Sequence, residues 1–113
     1  MAQNPLNKIV GTATIANGSA DSGVIDCLEQ TLSGIVTPAV LTNATMRFKG
    51  SIDGSTFYDL YNGDTQYSIA VATNASRAIS LNLAVMKPWR YIEISMSGNE
   101  GAARSFGYTL TGV

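Results

Sequence analysis

No stretch of this chain keeps a helical period. What recurs is apolar/polar alternation in short runs, broken by Gly, Asn, Asp or Pro about every eight to twelve residues. The runs are NKIVGTATIA (7–16), SGVIDCLE (22–29), LSGIVTPAVL (32–41, interrupted at Pro38) and ATMRFKGS (44–51). TFYDLY (56–61), QYSIAVAT (66–73), AISLNLAV (78–85), RYIEISMS (90–97) and RSFGYTLTG (104–112) follow. Met46 and Phe48 point one way while Arg47 and Lys49 point the other. Ile79, Leu81 and Leu83 are expected to share a face, as are Phe106, Tyr108 and Leu110. Ile92, Ile94 and Met96 oppose Tyr91, Glu93 and Ser95. The expected fold is all-β, an antiparallel two-sheet sandwich or jelly roll of about eight or nine short strands.

With 113 residues, one domain over 7–113 is expected. Residues 1–6, MAQNPL, carry no strand or turn signal and read as an N-terminal arm that orders against a neighbour. The N-terminus has no apolar signal core or small-residue cleavage site, so folding in a cytoplasm is expected. No apolar run is long enough to span a bilayer as a helix. Acceptor patterns for glycosylation at Asn17, Asn43 and Asn74 read as accidents of an Asn-, Ser- and Thr-rich chain.

Charged residues make up 13% of the chain, against a usual ~25%, and the net charge is −1. That leaves no basic stripe for nucleic acid. A surface so poor in charge points to coverage by partners. There is no histidine, which removes the common triads, the usual neutral-pH base and most zinc sites. The single cysteine, Cys27, lies in an apolar run and reads as a small core residue. Lys87 and Tyr91 have no carboxylate at an informative spacing, so no enzyme and no cofactor are expected.

The aspartates of GSIDGSTFYDLYNGD (50–64) are the one candidate metal cluster. Asp53-Gly54 matches the pair that a type I′ hairpin turn prefers, with positive φ at both residues. Strict pairing there would set Phe48 against Asp59, so a bulge or longer loop that turns Leu60 inward is expected. Asn62-Gly63 reads as a second turn with Asp64 on its rim. The spacing lacks the EF-hand pattern, so these residues read as turns rather than calcium ligands. Trp89 reads as packing at a sandwich edge, with contact to a partner or a glycan as the alternative. Arg90 and Arg104 are expected to pair with Asp26, Glu29 or Glu93.

Three segments carry a resemblance: 31–61, 67–81 and 89–98. Gly34, Ile35, Pro38 and Ala39 match a "GI-x-x-PA" strand, and Arg90, Tyr91 and Ile92 match an "RYI" strand start. Phe48, Gly50, Ser51, Asp53, Gly54, Thr56 and Phe57 match an "F-x-GS-x-DG-x-TF" hairpin. The chain thereby resembles small β-sandwich virion proteins of tailed bacteriophages, above all the capsid decoration, or cement, proteins of short-tailed phages. The resemblance implies a structural protein on the outer capsid surface that staples neighbouring major capsid subunits. It also implies production in the host bacterial cytoplasm. A homo-oligomer is expected, a dimer ahead of a trimer. Discoidin-like carbohydrate-binding domains share the hairpin and "RYI" pieces and supply the alternative, together with other minor tail or fibre proteins.

Overall fold

The computed structural model describes residues 9–112, so the arm expected over 1–6 lies outside them. In chain order the elements are β1 (Ile9–Ile15), β2 (Ile25–Asp26), β3 (Thr31–Val36), β4 (Thr45–Ser51), β5 (Tyr58–Asp59) and β6 (Tyr61–Asn62). They continue with β7 (Thr65–Gln66), β8 (Ser68–Ala70), β9 (Ala78–Ser80), α1 (Leu83–Met86), β10 (Tyr91–Met96) and β11 (Arg104–Thr111). All pairings are antiparallel. A four-stranded sheet runs β1-β11-β3-β9, and a five-stranded sheet runs β2-β10-β4-β5 with β8 also on β4. The fold is an all-β sandwich.

The inward residues of the two sheets make one core. Ile15, Leu32, Ile35, Phe106 and Leu110 come from the four-stranded sheet, and Met46, Phe48, Ile92 and Ile94 from the other. Phe48 and Tyr67 stack with ring centroids 5.9 Å apart. Cys27 is fully buried, and burial, then the nearby Asp26 charge, pushes its thiol up to about 11. It is an inert core group at neutral pH.

Two sequence runs break where alternation predicts continuity, and each yields two strands. TFYDLY divides into β5 and β6 because Leu60 turns into the core and donates its amide to the Phe48 carbonyl. QYSIAVAT divides into β7 and β8 around Tyr67, whose amide bonds the Leu60 carbonyl. AISLNLAV is a strand only as far as Ser80. Asn82 then caps a helical turn, its side chain accepting from the Ala84 amide at 3.0 Å. Leu83 therefore leaves the face of Ile79 and Leu81 and stands half-exposed, while Val85 and Met86 are buried.

The turns differ from their expected types. Leu28 is the only non-glycine with positive φ among the described residues, so neither Asp53 nor Asn62 adopts it. Gly50 faces Tyr58 and Lys49 faces Asp59, which leaves residues 52–57 as a long loop rather than a type I′ turn. Asp53 organises this loop through its side chain. One carboxylate oxygen accepts from the Ser55 amide at 2.8 Å, the Thr56 amide at 3.0 Å and the Ser51 hydroxyl at 2.9 Å. In the β6–β7 hairpin Asn62 ends the strand, opposite Thr65, and Gly63 at φ 64° is the first turn residue. Glycine leading a two-residue loop is the type II′ signature.

Candidate functional site

Alternation decides what each sheet shows outward. On the four-stranded sheet the outward positions include Val10, Thr12 and Thr14 of β1, Ser105, Gly107, Thr109 and Thr111 of β11, Gly34 and Val36 of β3, and Ala78 and Ser80 of β9. None is charged. Arg104 is the only charged residue in any strand of this sheet, and it faces inward opposite Ile15. There it donates from Nε to Glu100 at 3.0 Å.

Small residues make this surface shallow and smooth. Gly34, Gly107 and Ala78 lie beneath a trough of about 510 Å³ flanked by Val10 and Val36. Val10 is 76% exposed and Val36 48%. The hydroxyls on the surface bond largely to each other. Ser33 Oγ lies 3.0 Å from Thr109 Oγ1 and 2.6 Å from Thr111 Oγ1, and Thr14 Oγ1 lies 3.1 Å from Ser105 Oγ. Polar groups already partnered in this way cost less to remove from water when another surface covers them.

The five-stranded sheet has the opposite character. Its strands carry Asp26, Arg47, Lys49, Asp59 and Glu93. Lys49 bonds Asp21 at 2.9 Å, and Ser95 donates to the other Asp21 oxygen at 2.6 Å. Burial works against the Asp21 charge, but the Ser95 hydroxyl and Lys49 hold its carboxyl below the ordinary range. Glu93 faces Lys49 across the strands yet shifts upward, because burial and the Asp21 charge outweigh that lysine.

Glu100 is the residue that strand patterning misses. Its side chain is wholly buried and accepts from the Thr42 amide at 2.7 Å, the Asn43 amide at 3.0 Å and Arg104. Asn43 Nδ2 adds a further bond at 2.6 Å. Burial alone would raise this carboxyl, but the Thr42 and Asn43 donors and Arg104 hold it below its ordinary value. No spacing rule flags it, because i,i+4 neighbours meet on a helix and this segment joins two strands. Arg104 therefore pairs with none of the carboxylates expected for it, whereas Arg90 pairs with Asp26 at 2.9 Å.

The remaining predicted site residues do not converge. Asp53, Asp59 and Asp64 sit in separate turns and strands. No group of three or more His, Cys, Asp or Glu among the described residues could hold a metal ion. Trp89 is half-buried, and its ring packs on Gly50, where an added Cβ would come within 3.1 Å of the indole. Gly54, at φ 80°, folds the 52–57 loop back towards the Tyr91 ring.

No protein-family model matches this chain, and no curated protein matches it.

Proposed function

We propose that this chain is a non-enzymatic virion structural protein. It decorates the outer capsid surface and staples neighbouring major capsid subunits. The observation that carries the reading is the uncharged, hydroxyl-paired outer face of the four-stranded sheet. Such a face suits a flat protein lattice, where complementarity over many weak contacts replaces steering by charge. It offers no cations for phosphate. The phage-like segments at 31–61, 67–81 and 89–98 supply the identity of the lattice. A glycan platform has less support, because the indole of Trp89 is committed to Gly50.

Co-sedimentation of the protein with capsids stripped of it tests the proposal. Attachment should survive a rise in salt from about 0.1 M to about 1 M, which shortens the screening length from ~10 Å to ~3 Å. Dissociated capsid subunits should bind far more weakly than the lattice, because each copy bridging two subunits raises the effective concentration of its second contact. Decorated capsids should burst at a higher temperature than stripped ones. Binding that a soluble sugar displaces, with no gain in capsid heat resistance, overturns the reading.

A further inference from the structure

The edges of the two sheets are guarded unequally. The five-stranded sheet ends in β2, β5 and β8, none longer than three residues, and β9 at one edge of the four-stranded sheet also has three. β1, at the other edge, has seven residues, IVGTATI, with no charge, no proline and no break in its register with β11. Short strands, Lys, Pro and bulges are the usual guards against edge-to-edge pairing, and β1 has none of them.

The direction of its free groups follows from one hydrogen bond. The Thr14 carbonyl accepts from the Gly23 amide at 3.3 Å, on the side of β1 away from β11. Backbone groups alternate sides along a strand, so Val10 and Thr12 present their N–H and C=O outward as well. Among the described residues no backbone partner meets them there. The Ser22–Gly23 segment closes the edge at Thr14 and Ile15, which leaves Ile9 to Ala13 open among the described residues.

We propose that this open edge pairs with β1 of a second copy, antiparallel across a two-fold axis at Gly11. In that register Val10 exchanges both backbone hydrogen bonds with Thr12 of the partner subunit, and Thr12 does so with Val10 of the partner subunit. The outward N–H and C=O groups of Val10 and Thr12 then all find counterparts. Gly11 meets Gly11 of the partner subunit at a non-hydrogen-bonded pair, where Cα atoms approach to ~4.5 Å. The Tyr108 ring already occupies the space a Gly11 Cβ would fill, within 2.5 Å, so a second aromatic ring arrives beside the axis on the same side of the joined sheet. No charged side chain opposes a like charge across the seam. The two uncharged outer faces become one continuous eight-stranded surface. A second copy is favoured over a foreign strand because the register is self-matched about one glycine and closes after two copies. The pairing does not depend on what the outer face binds.

Sedimentation and amide hydrogen exchange on the full chain test it together. The expected result is a dimer at tens of micromolar in which the Val10 and Thr12 amides exchange slowly despite lying on a sheet edge. Thr12→Pro removes an outward donor without touching the bonds to β11, so it should keep the β-sheet circular dichroism while weakening the dimer roughly ten-fold or more. Val10→Lys should act in the same direction. Ser80→Pro, at the opposite edge, should leave the dimer intact. A monomer with fast-exchanging Val10 and Thr12 amides overturns the proposal. So does a dimer that Thr12→Pro leaves unchanged while the fold is retained. Open-ended growth stopped by Ser80→Pro would assign the edge to head-to-tail pairing of β1 with β9 and also overturns it.

Discussion

The two outer faces of this sandwich come from strands with the same alternation, yet their surface chemistry is opposite. The five-stranded sheet spends its outward positions on Arg47, Lys49 and Glu93, of which Lys49 bonds Asp21. The four-stranded sheet spends its own on Gly, Ala, Ser, Thr and Val, and turns its one charged strand residue, Arg104, inward to Glu100. A low overall charge thus conceals a segregation: among the described strand residues, every outward charge is on the five-stranded sheet. The charged face resembles an ordinary solvated surface, and the uncharged one lacks the charge that such surfaces carry.

The sharpest test of that contrast is the pair that keeps charge off the uncharged face. Glu100→Ala leaves Arg104 without its carboxylate and strips the Thr42 and Asn43 amides of their acceptor. Removing one partner of a buried pair costs about 3–5 kcal/mol, so a large fall in melting temperature is expected. Loss of less than about 1 kcal/mol, the scale of a surface pair, would show that Glu100 is no anchor.

Next in size is a charge placed on the uncharged face itself. Val36→Glu sits at an exposed position, so folding stability should stay within about 0.5 kcal/mol. Attachment to capsids should nevertheless fall by about a hundred-fold, because an unpaired carboxylate must be desolvated at the contact. Asp59→Val, on the charged sheet, should leave attachment unchanged. Equal effects of the two substitutions would erase the functional distinction between the faces.

Much of this arrangement is legible from residues alone. Met46 and Phe48 against Arg47 and Lys49, and Ile92, Ile94 and Met96 against Tyr91 and Glu93, fix which side of β4 and β10 is core. Leu60 could be placed inward because the other register would bury Asp59. The helical turn at Leu83–Met86 escapes pattern reading because four residues are too few to show a period. Asp53-Gly54 misleads because the Asp53 carboxylate, and not a positive φ, shapes the loop. The segregation of charge escapes for a different reason. Each uncharged strand is visible in the sequence, but their adjacency depends on long-range pairings such as β1 with β11.

A smaller effect tests the loop that folds onto the charged side. Gly54 has φ 80°, and an added Cβ would lie 3.3 Å from the Tyr91 ring. Gly54→Val should therefore cost about 1–2 kcal/mol, the penalty for a side chain in left-handed backbone. Gly23→Val, where the space for a Cβ is open and φ is not positive, should cost less. Equal losses would mean that the loop lacks the left-handed residue at Gly54.

The smallest effects lie within the charged face, and they have opposite signs. Asp21 has its folded pKa lowered by Ser95 and Lys49 against the effect of burial. The folded state therefore holds fewer protons there than the unfolded chain. Its contribution is present above the ordinary aspartate range and disappears as pH falls through the lowered folded value. Glu93 has its folded pKa raised by burial and by Asp21. The folded state binds that proton more tightly, so the ionised group opposes folding at neutral pH, and the opposition fades as pH falls into the carboxylate range. Asp21→Asn should accordingly lower the melting temperature at neutral pH, while Glu93→Gln should raise it. Each change should correspond to about 0.5 kcal/mol at these part-exposed sites. The gap between the two variants should close as pH falls through the carboxylate range, because protonation makes the native groups neutral too. High salt should narrow it as well, by screening Asp21 from both Lys49 and Glu93. A Glu93→Gln variant less stable than the native chain at neutral pH would place Glu93 with the stabilising charges and make the face a fully matched network.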